Sequence, residues 1–351
     1  MDTAERYRRF ATMEVRGHSA SYETLAAQIA VDAELLALID RLPASRRQPN
    51  LLLGAVRFLG GPVTEYRAFR AWTVAAWDRV EQTMRGRFTQ TNEPGRCATL
   101  LPLLASLPQP LALIEVGASA GLCLYPDRYR YRYDGGPVLG PTDGQVLLDC
   151  RTDGTAPLPE QLPTVAWRAG IDLNPLDVNN TNDVHWLESL VWPEQHERLR
   201  RLRDAVRVAQ TEPAYLVRGD LNEAVGDLIA QVPDGATAVV FHSAVLAYLP
   251  TEARESFAET VRSLPCHWIS NEAPTSCHPC KTACPGPHRR TMTCSSWPWT
   301  GSRWPSPVPT ANPWTGSPDP PARSSVAVAR GGARGFFCLQ RGGLLGARGA
   351  A

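Results

Sequence analysis

Residues 111–124, LALIEVGASAGLCL, carry the pattern with the clearest chemical meaning in the chain. A short apolar run leads to Glu115, and Gly117, Ser119 and Gly121 follow at alternate positions. Such a run is typical of a buried parallel strand, and the glycines permit a tight turn at which a cofactor can approach the backbone. We expect a helix after Gly121, whose N-terminus would favour polar or anionic groups. The segment therefore predicts a cofactor site at the end of the first strand.

The same segment has a second interpretation, as a nucleophile elbow. Its G-x-S-x-G pattern would present the hydroxyl of Ser119 at a sharp turn, and Asp172 or Asp220 and then His242 follow in the order of a hydrolase triad. Against this, an elbow normally follows earlier strands of its sheet, whereas the residues before 111 are predicted to be helical. A glycine-tight turn without any ligand is the third interpretation.

Three later apolar runs also bring polar residues to strand ends. The second predicted strand ends at Asp172, the third ends at Asp220, and the fourth contains His242. Ligands of an open parallel sheet bind beyond the carboxyl ends of its strands, so these side chains are expected at one site. Asp172 is suited to accept hydrogen bonds from ribose hydroxyls, Asp220 could meet an adenine amino group, and His242 lies where a substrate would be. For each acid, a turn or helix cap is the alternative role.

The elements that must position these residues alternate along the chain. Five apolar runs are separated by helix-like stretches, of which residues 185–210 are expected to form one helix. This order predicts an α/β fold with a doubly wound, mostly parallel Rossmann-like sheet, preceded by a helical N-terminal segment. We expect the helical segment over residues 1–105, the α/β domain over 106–274 and an aberrant tail over 275–351.

Residues 127–134, DRYRYRYD, alternate strictly between tyrosine and arginine. The alternation predicts an amphipathic strand with one arginine face. A solvated β-ribbon is the favoured interpretation, and reception of an acidic substrate by the arginines is the other.

Charge and composition exclude several classes of protein. Of the 36 basic and 35 acidic residues, nine basic and one acidic residue follow Pro274, so residues 1–274 carry 27 basic and 34 acidic residues. A mildly acidic body does not favour nucleic-acid binding. The N-terminus lacks the apolar run of a signal peptide, and no long apolar stretch predicts a membrane span. We expect a cytoplasmic protein in which Cys97, Cys123, Cys150 and Cys266 are reduced thiols.

These segments resemble the first motifs of class I S-adenosylmethionine-dependent methyltransferases, in which an acid precedes three alternating glycines. Ser119 replaces the middle glycine. The resemblance implies that S-adenosylmethionine is the cofactor and that it is bound by Glu115, Gly117, Ser119, Gly121, Asp172 and Asp220.

Residues 20–274 are also similar to an actinobacterial family catalogued as domain of unknown function 2332. The similarity is carried by stretches that include TQTNEPGRCA, EVGASAGL, GIDLNPLDV and WISNEAP. It implies a Rossmann-like fold and assigns no reaction.

The tail after Pro274 differs in composition from the rest of the chain. It is rich in Pro, Ser, Arg and Gly and contains Trp297, Trp299, Trp304 and Trp314. A one-base frame shift near codons 274–276 would explain the change, because the shifted codons permit apolar runs typical of the last strands of such a sheet. The alternative is a metal site at Cys277, Cys280 and Cys284. If the tail is natural, the fifth strand is expected to present an unpaired edge.

Taken together, the residues favour a methyltransferase-like enzyme that uses S-adenosylmethionine and acts on a small-molecule substrate, without a metal ion. His242 is the candidate catalytic residue, and no general base is assigned, since methyl transfer depends mainly on positioning. A non-catalytic nucleotide- or metabolite-binding protein and a serine hydrolase using Ser119 are the alternatives.

Overall fold

A computed structural model describes residues 1–152 and 157–272 and the backbone of a strand at 336–341. The first part of the chain is helical, as expected. Ser19, Asp32 and Glu65 each accept a hydrogen bond from a backbone amide at the start of a helix, which satisfies a donor that would otherwise have no partner. The helices are α1 (Thr3–Arg9), α2 (Ala20–Ile29), α3 (Ala33–Ile39), α4 (Pro49–Phe58), α5 (Tyr66–Ala75), α6 (Trp77–Gly86) and α7 (Cys97–Ala105).

A six-stranded sheet follows, formed by β1 (Leu111–Val116), β5 (Val165–Asp172), β6 (Tyr215–Arg218), β7 (Thr237–Ser243), β8 (His267–Glu272) and β9 (Phe336–Arg341). The strands lie in the order β6-β5-β1-β7-β8-β9, and the first five in this order are parallel. The predicted doubly wound α/β fold is confirmed. β9 runs antiparallel to β8, so the unpaired edge that we expected on the fifth strand was wrong.

Helices cover both faces of this sheet. On one face, the N-terminal helices pack with α8 (Thr181–Leu190) and α9 (His196–Thr211) against side chains such as Leu113 and Phe241. On the other face, α10 (Leu221–Ile229) and α11 (Thr251–Ser263) cover Ile114 and Val240. Two apolar cores therefore hold the sheet rigid, and its carboxyl edge presents the loops that carry the candidate site.

The segment between β1 and β5 forms a small second sheet, which we call the ribbon. It consists of β2 (Arg130–Tyr133), β3 (Val138–Leu139) and β4 (Leu147–Cys150), in the order β3-β2-β4. Tyr129, Tyr131 and Tyr133 are buried and donate their hydroxyls to backbone carbonyls. The alternation in the sequence therefore identified a strand with one tyrosine face in the core.

Three local expectations were wrong. No α-helix follows Gly121; a single 3₁₀ turn (Leu122–Leu124) leads into the ribbon instead. The helix expected over 185–210 is two helices, because Pro193 separates α8 from α9. Cys97, Cys123 and Cys266 are free thiols, but Cys150 is disulfide-bonded.

Two further expectations concern membranes and metals. Within the described ranges, no helix is long and apolar enough to cross a membrane. The same part of the chain holds no group of three His, Cys, Asp or Glu side chains that could bind a metal ion. The cysteines at 277, 280 and 284 and the proposed shift point lie outside the described residues.

Candidate functional site

The loop after β1 has the backbone that the glycine pattern predicted. Gly117 and Gly121 adopt φ values of +70° and +71°, which favour glycine, and Ser119 between them has a φ of +53°. A Cβ on Gly117 would stand 2.4 Å from a methyl group of Val245, in the loop after β7. The protein's own packing therefore already explains the first glycine, so the glycines alone do not require a ligand.

Asp172 connects the end of β5 to this loop. Its carboxylate accepts the backbone amides of Ser119 and Asn174, each at 2.8 Å. The side chain of Gln90 also donates to it, at 3.5 Å, so at least one of the about four acceptor positions of an ionised carboxylate remains. Asp172 is half-buried and can accept further hydrogen bonds from a ligand at the carboxyl edge. The structure thus brings together the second-strand acid and the glycine loop, which are 53 residues apart in sequence.

Two polar residues from the loop before α7 hold this arrangement in place. Asn92 donates to the carbonyl of Ala118 at 2.7 Å and accepts the amide of Leu122 at 3.0 Å, so it spans the glycine loop. Gln90 donates to the carbonyl of Asn174 at 2.8 Å. Sequence reasoning missed both residues, although they lie in TQTNEPGRCA, a polar interruption between apolar helices that could have been noticed.

Glu115 and Ser119 supply buried polar atoms without a partner. One carboxylate oxygen of Glu115 and the hydroxyl of Ser119 have no hydrogen-bond partner among the described residues. Burial raises the pKa of Glu115 well above its usual range, and the thiol of Cys123 adds to the effect, while Arg96 opposes it. The carboxyl group therefore favours its neutral form, which can donate a hydrogen bond. Buried polar atoms of this kind cost free energy unless a ligand satisfies them.

Asp220 lies at the same edge, two residues beyond β6, where it caps α10. Its carboxylate accepts the amide of Asn222 at 2.8 Å. The cap was the alternative to the adenine-binding role. It occupies one oxygen of the carboxylate.

His242 lies on the opposite face of the sheet from Glu115. Its ring is fully buried against Phe257 of α11 and Trp268 of β8, and its Nδ1 is 2.7 Å from a carboxylate oxygen of Glu272. The same oxygen accepts the amide of Val245 at 2.8 Å. His242 therefore supports the loop after β7 from beneath. Its Nε2 has no partner among the described residues.

The gathered residues define a crevice, by which we mean the loop 117–121, Asp172, Asp220 and the loop 243–245. The crevice fits the polar part of a nucleoside cofactor, since Asp172 has acceptor positions left and the Ser119 hydroxyl has no partner. Val245 occupies the space above Gly117, so a ligand there would have to displace its side chain. Beside Gly121, a cavity of about 260 Å³ is lined by residues that include Ala120, Leu176 and Leu216.

The crevice does not contain the parts of a hydrolase site. Ser119 lacks a hydrogen-bonded base among the described residues, and the histidine expected in that role, His242, bonds to Glu272 instead. β1 is also the first strand of the sheet in chain order, so no earlier strand precedes the serine. These observations count against a triad built on Ser119.

The comparisons with known proteins give a family and no activity. A search of curated proteins finds no match. The profile of a family described as an uncharacterised protein conserved in bacteria, DUF2332, matches residues 4–314. The match continues beyond Pro274, where we expected the similarity to end. Because it covers most of the 351 residues, the chain belongs to the DUF2332 family.

Proposed function

We propose that the crevice binds S-adenosylmethionine and that the protein is a methyltransferase acting on a small molecule. The observation that carries the proposal is the contact between Asp172 and the amide of Ser119. It joins the ends of β5 and β1 into one polar surface at the carboxyl edge, where open parallel sheets bind nucleotides. The unpartnered Ser119 hydroxyl and Glu115 oxygen support the same site.

Each residue has a distinct task in this proposal. Asp172 accepts hydrogen bonds from the ribose hydroxyls, and Asp220 contacts the adenine amino group through its remaining oxygen. Glu115, Gly117, Ser119 and Gly121 form the floor under the rest of the cofactor. When bound, S-adenosylmethionine supplies a methyl group on a positively charged sulfur.

The role of the protein is then mainly to orient the two reactants. Asn92 and Gln90 fix the loops on either side of the crevice, which limits the movement of the bound cofactor. His242 acts as a positioning residue through Glu272, which holds the amide of Val245. Val245 packs over Gly117 and would move aside when the cofactor binds there.

Calorimetric titration of the full chain with S-adenosylmethionine, NAD and ATP tests the proposal. We expect saturable binding of S-adenosylmethionine and weaker binding of the other two. Absence of binding by all three would overturn the cofactor site. Binding of NAD or ATP alone would favour the non-catalytic nucleotide-binding protein.

Ser119→Ala gives a sharper test, because the hydroxyl has no hydrogen-bond partner among the described residues that the substitution would remove. We expect about tenfold weaker binding of S-adenosylmethionine, the usual value of one hydrogen bond, with no loss of thermal stability. Ser189→Ala is the matched control, since Ser189 is equally buried but its hydroxyl donates to the carbonyl of His185 in its own helix. Labelling of Ser119 by a fluorophosphonate would favour a hydrolase instead.

The frame-shift hypothesis for the tail stays a separate proposal. Sequencing the gene across codons 274–276 is its test, and an intact reading frame in the source organism would refute it.

A further inference from the structure

Four charged residues beside the crevice form what we call the arginine cluster: Glu93, Arg96, Arg198 and Arg201. Glu93 is 1% exposed, and its two carboxylate oxygens meet Nε of Arg198 at 2.9 Å and Nε of Arg201 at 2.7 Å. Arg198 and Arg201 are three residues apart on α9 and so share a face of that helix. Arg96 follows Glu93 in the 3₁₀ turn Pro94–Arg96.

The charges of the cluster do not balance. The cluster contains three guanidinium groups but a single carboxylate, that of Glu93, which pairs with Arg198 and Arg201, so two positive charges are in excess. Both terminal nitrogens of Arg201, one terminal nitrogen of Arg198, and Nε and one terminal nitrogen of Arg96 have no acceptor among the described residues. These N–H groups have the fork geometry that binds carboxylates and phosphates with two hydrogen bonds.

The cluster adjoins the part of the sheet where a substrate is expected. After β1 the chain adds β5 and β6 on one side of that strand, and then β7 and β8 on the other side. The boundary between β1 and β7 is therefore the topological switch point of the sheet. Arg96 donates to the carbonyl of Ser243, at the end of β7, at 3.1 Å. Asn92, one residue before Glu93, spans the glycine loop.

The field of the cluster also reaches the floor of the crevice. Burial raises the pKa of Glu115, but the charge of Arg96 opposes that shift. Arg96 therefore lies within electrostatic reach of Glu115.

We propose that Arg96, Arg198 and Arg201 form a subsite that binds an oxyanion, a carboxylate or phosphate group, of the small-molecule substrate. The inference rests on the proposed function for the neighbouring cofactor, but the subsite itself is built from protein groups alone. An anion there would lie beside the end of β7 and close to the glycine loop, which would direct the rest of the substrate toward the cofactor.

The competing explanation is purely structural. In that case, the arginines only fasten α9 to Glu93, and their remaining N–H groups bind water. Arg96 distinguishes the two explanations, because among the described residues its guanidinium group makes no ion pair with Glu93 and one hydrogen bond, to the carbonyl of Ser243. Its loss should affect anion binding more than folding.

Titration of the full chain with inorganic phosphate and with malonate tests the subsite. We expect saturable binding of at least one anion, weakened at least tenfold in Arg96→Gln and in Arg201→Gln. Arg132→Gln is the matched control, since Arg132 lies in the ribbon and pairs with Asp149, and we expect it to bind as the unmodified chain does. Preference for phosphate would indicate a phosphate ester as substrate, and preference for malonate would indicate a carboxylate.

The result is separable from that of the cofactor experiment. Anion binding without S-adenosylmethionine binding would support the subsite and overturn the proposed methyltransferase. No binding of either anion, or equal weakening by Arg132→Gln, would overturn the subsite even if S-adenosylmethionine binds. Should Arg201→Gln lose stability because Glu93 loses a partner, Arg96→Gln still decides the question.

Discussion

Two regions of this protein are rich in arginine, and they differ in how the charge is balanced. In the ribbon, Arg132 pairs with Asp149 at 2.9 Å, and just before the ribbon Arg128 pairs with Glu212 at 2.7 Å. In the arginine cluster, one buried carboxylate, Glu93, pairs with Arg198 and Arg201, and Arg96 lies beside them. The acids therefore match Arg128 and Arg132 one to one, whereas the cluster has two more guanidinium groups than carboxylates.

The difference shows where a sequence pattern is misleading. The alternation of tyrosine and arginine is the most conspicuous charge pattern in the chain, and it belongs to a structural strand whose tyrosines are buried and in which Arg132 is partly exposed while Nε of Arg130 is buried. The cluster is assembled from residues 93–96 and 198–201, which are about one hundred positions apart. A charge excess that can bind a ligand arises here from tertiary packing, not from a run of basic residues.

Glu93→Gln should have the largest effect on stability. The substitution removes the only carboxylate of the cluster, and breaking a buried ion pair costs about 3–5 kcal/mol of unfolding free energy. We expect about 3 kcal/mol, the low end, because Arg198 and Arg201 keep about a quarter of their side chains exposed. Denaturant unfolding at pH 7 is the measurement. A loss no larger than that caused by Asp149→Asn would break the comparison.

The pH dependence of the same variant sharpens this result. Burial would raise the pKa of Glu93, but Arg198 and Arg201 outweigh it and hold the pKa below its ordinary value of 4.5. A depressed carboxyl pKa stabilises the fold above pH 4.5, and that stability is lost as pH falls through the folded pKa. The unmodified chain should therefore lose stability as the pH falls below that value, partly because Glu93 becomes protonated. Glu93→Gln should lack this part of the loss.

Glu115→Gln should have an intermediate effect on stability and, unlike Glu93→Gln, should increase it at high pH. The pKa of Glu115 is raised by burial, so the neutral acid stabilises the fold below pH 4.5 and the stability is lost as pH rises toward the folded pKa. Glutamine stays neutral, so the variant should be more stable at pH 8, by about 1 kcal/mol, the scale of one buried polar group. The two proteins should converge at pH 4.

Arg96→Gln extends this test to the comparison between the regions. Arg96 opposes the rise in the pKa of Glu115. In Arg96→Gln, Glu115 should therefore lower the free energy of unfolding at high pH by more than it does in the unmodified chain. Arg132→Gln should leave the pH profile unchanged. Equal effects of the two variants would mean that the charge of Arg96 acts on Glu115 no more strongly than that of Arg132, which is paired with Asp149.

The sequence predicted which strand ends form the site better than it predicted the side-chain contacts within it. The strand ends at Glu115, Asp172 and Asp220 could be found because buried parallel strands read as apolar runs that stop at polar residues. The missing helix after Gly121 could not, since a glycine pattern fits a helix start and a 3₁₀ turn equally well. Gln90, Asn92 and Glu93 were missed because their partners, Asn174, Ala118 and Arg201, are distant in sequence.

His242 is the opposite case, a residue that the sequence suggested for the site and that the structure places in the core. Its position one or two residues before the strand end suggested a substrate contact. In a strand, however, alternate side chains point to opposite faces, and the register that pairs Val116 with His242 directs the ring into the core under α11. Whether the His242 side chain faces the crevice or the core depends on the pairing between strands and on the helix that covers that face.

Asp149→Asn should have the smallest effect. The Arg132 and Asp149 side chains are 40% and 52% exposed, so water and salt screen their attraction and the pair replaces well-hydrated charges. We expect the midpoint of thermal unfolding to shift by less than about 2 °C at 0.15 M salt. Measured alongside Glu93→Gln at low and high salt, Asp149→Asn should lose its remaining effect as the salt concentration rises, while the Glu93 variant keeps most of its own. A large, salt-independent loss of stability in Asp149→Asn would show that the ribbon depends on its ion pair. The exposed ion pair of the ribbon and the buried one of the cluster would then contribute similarly to stability.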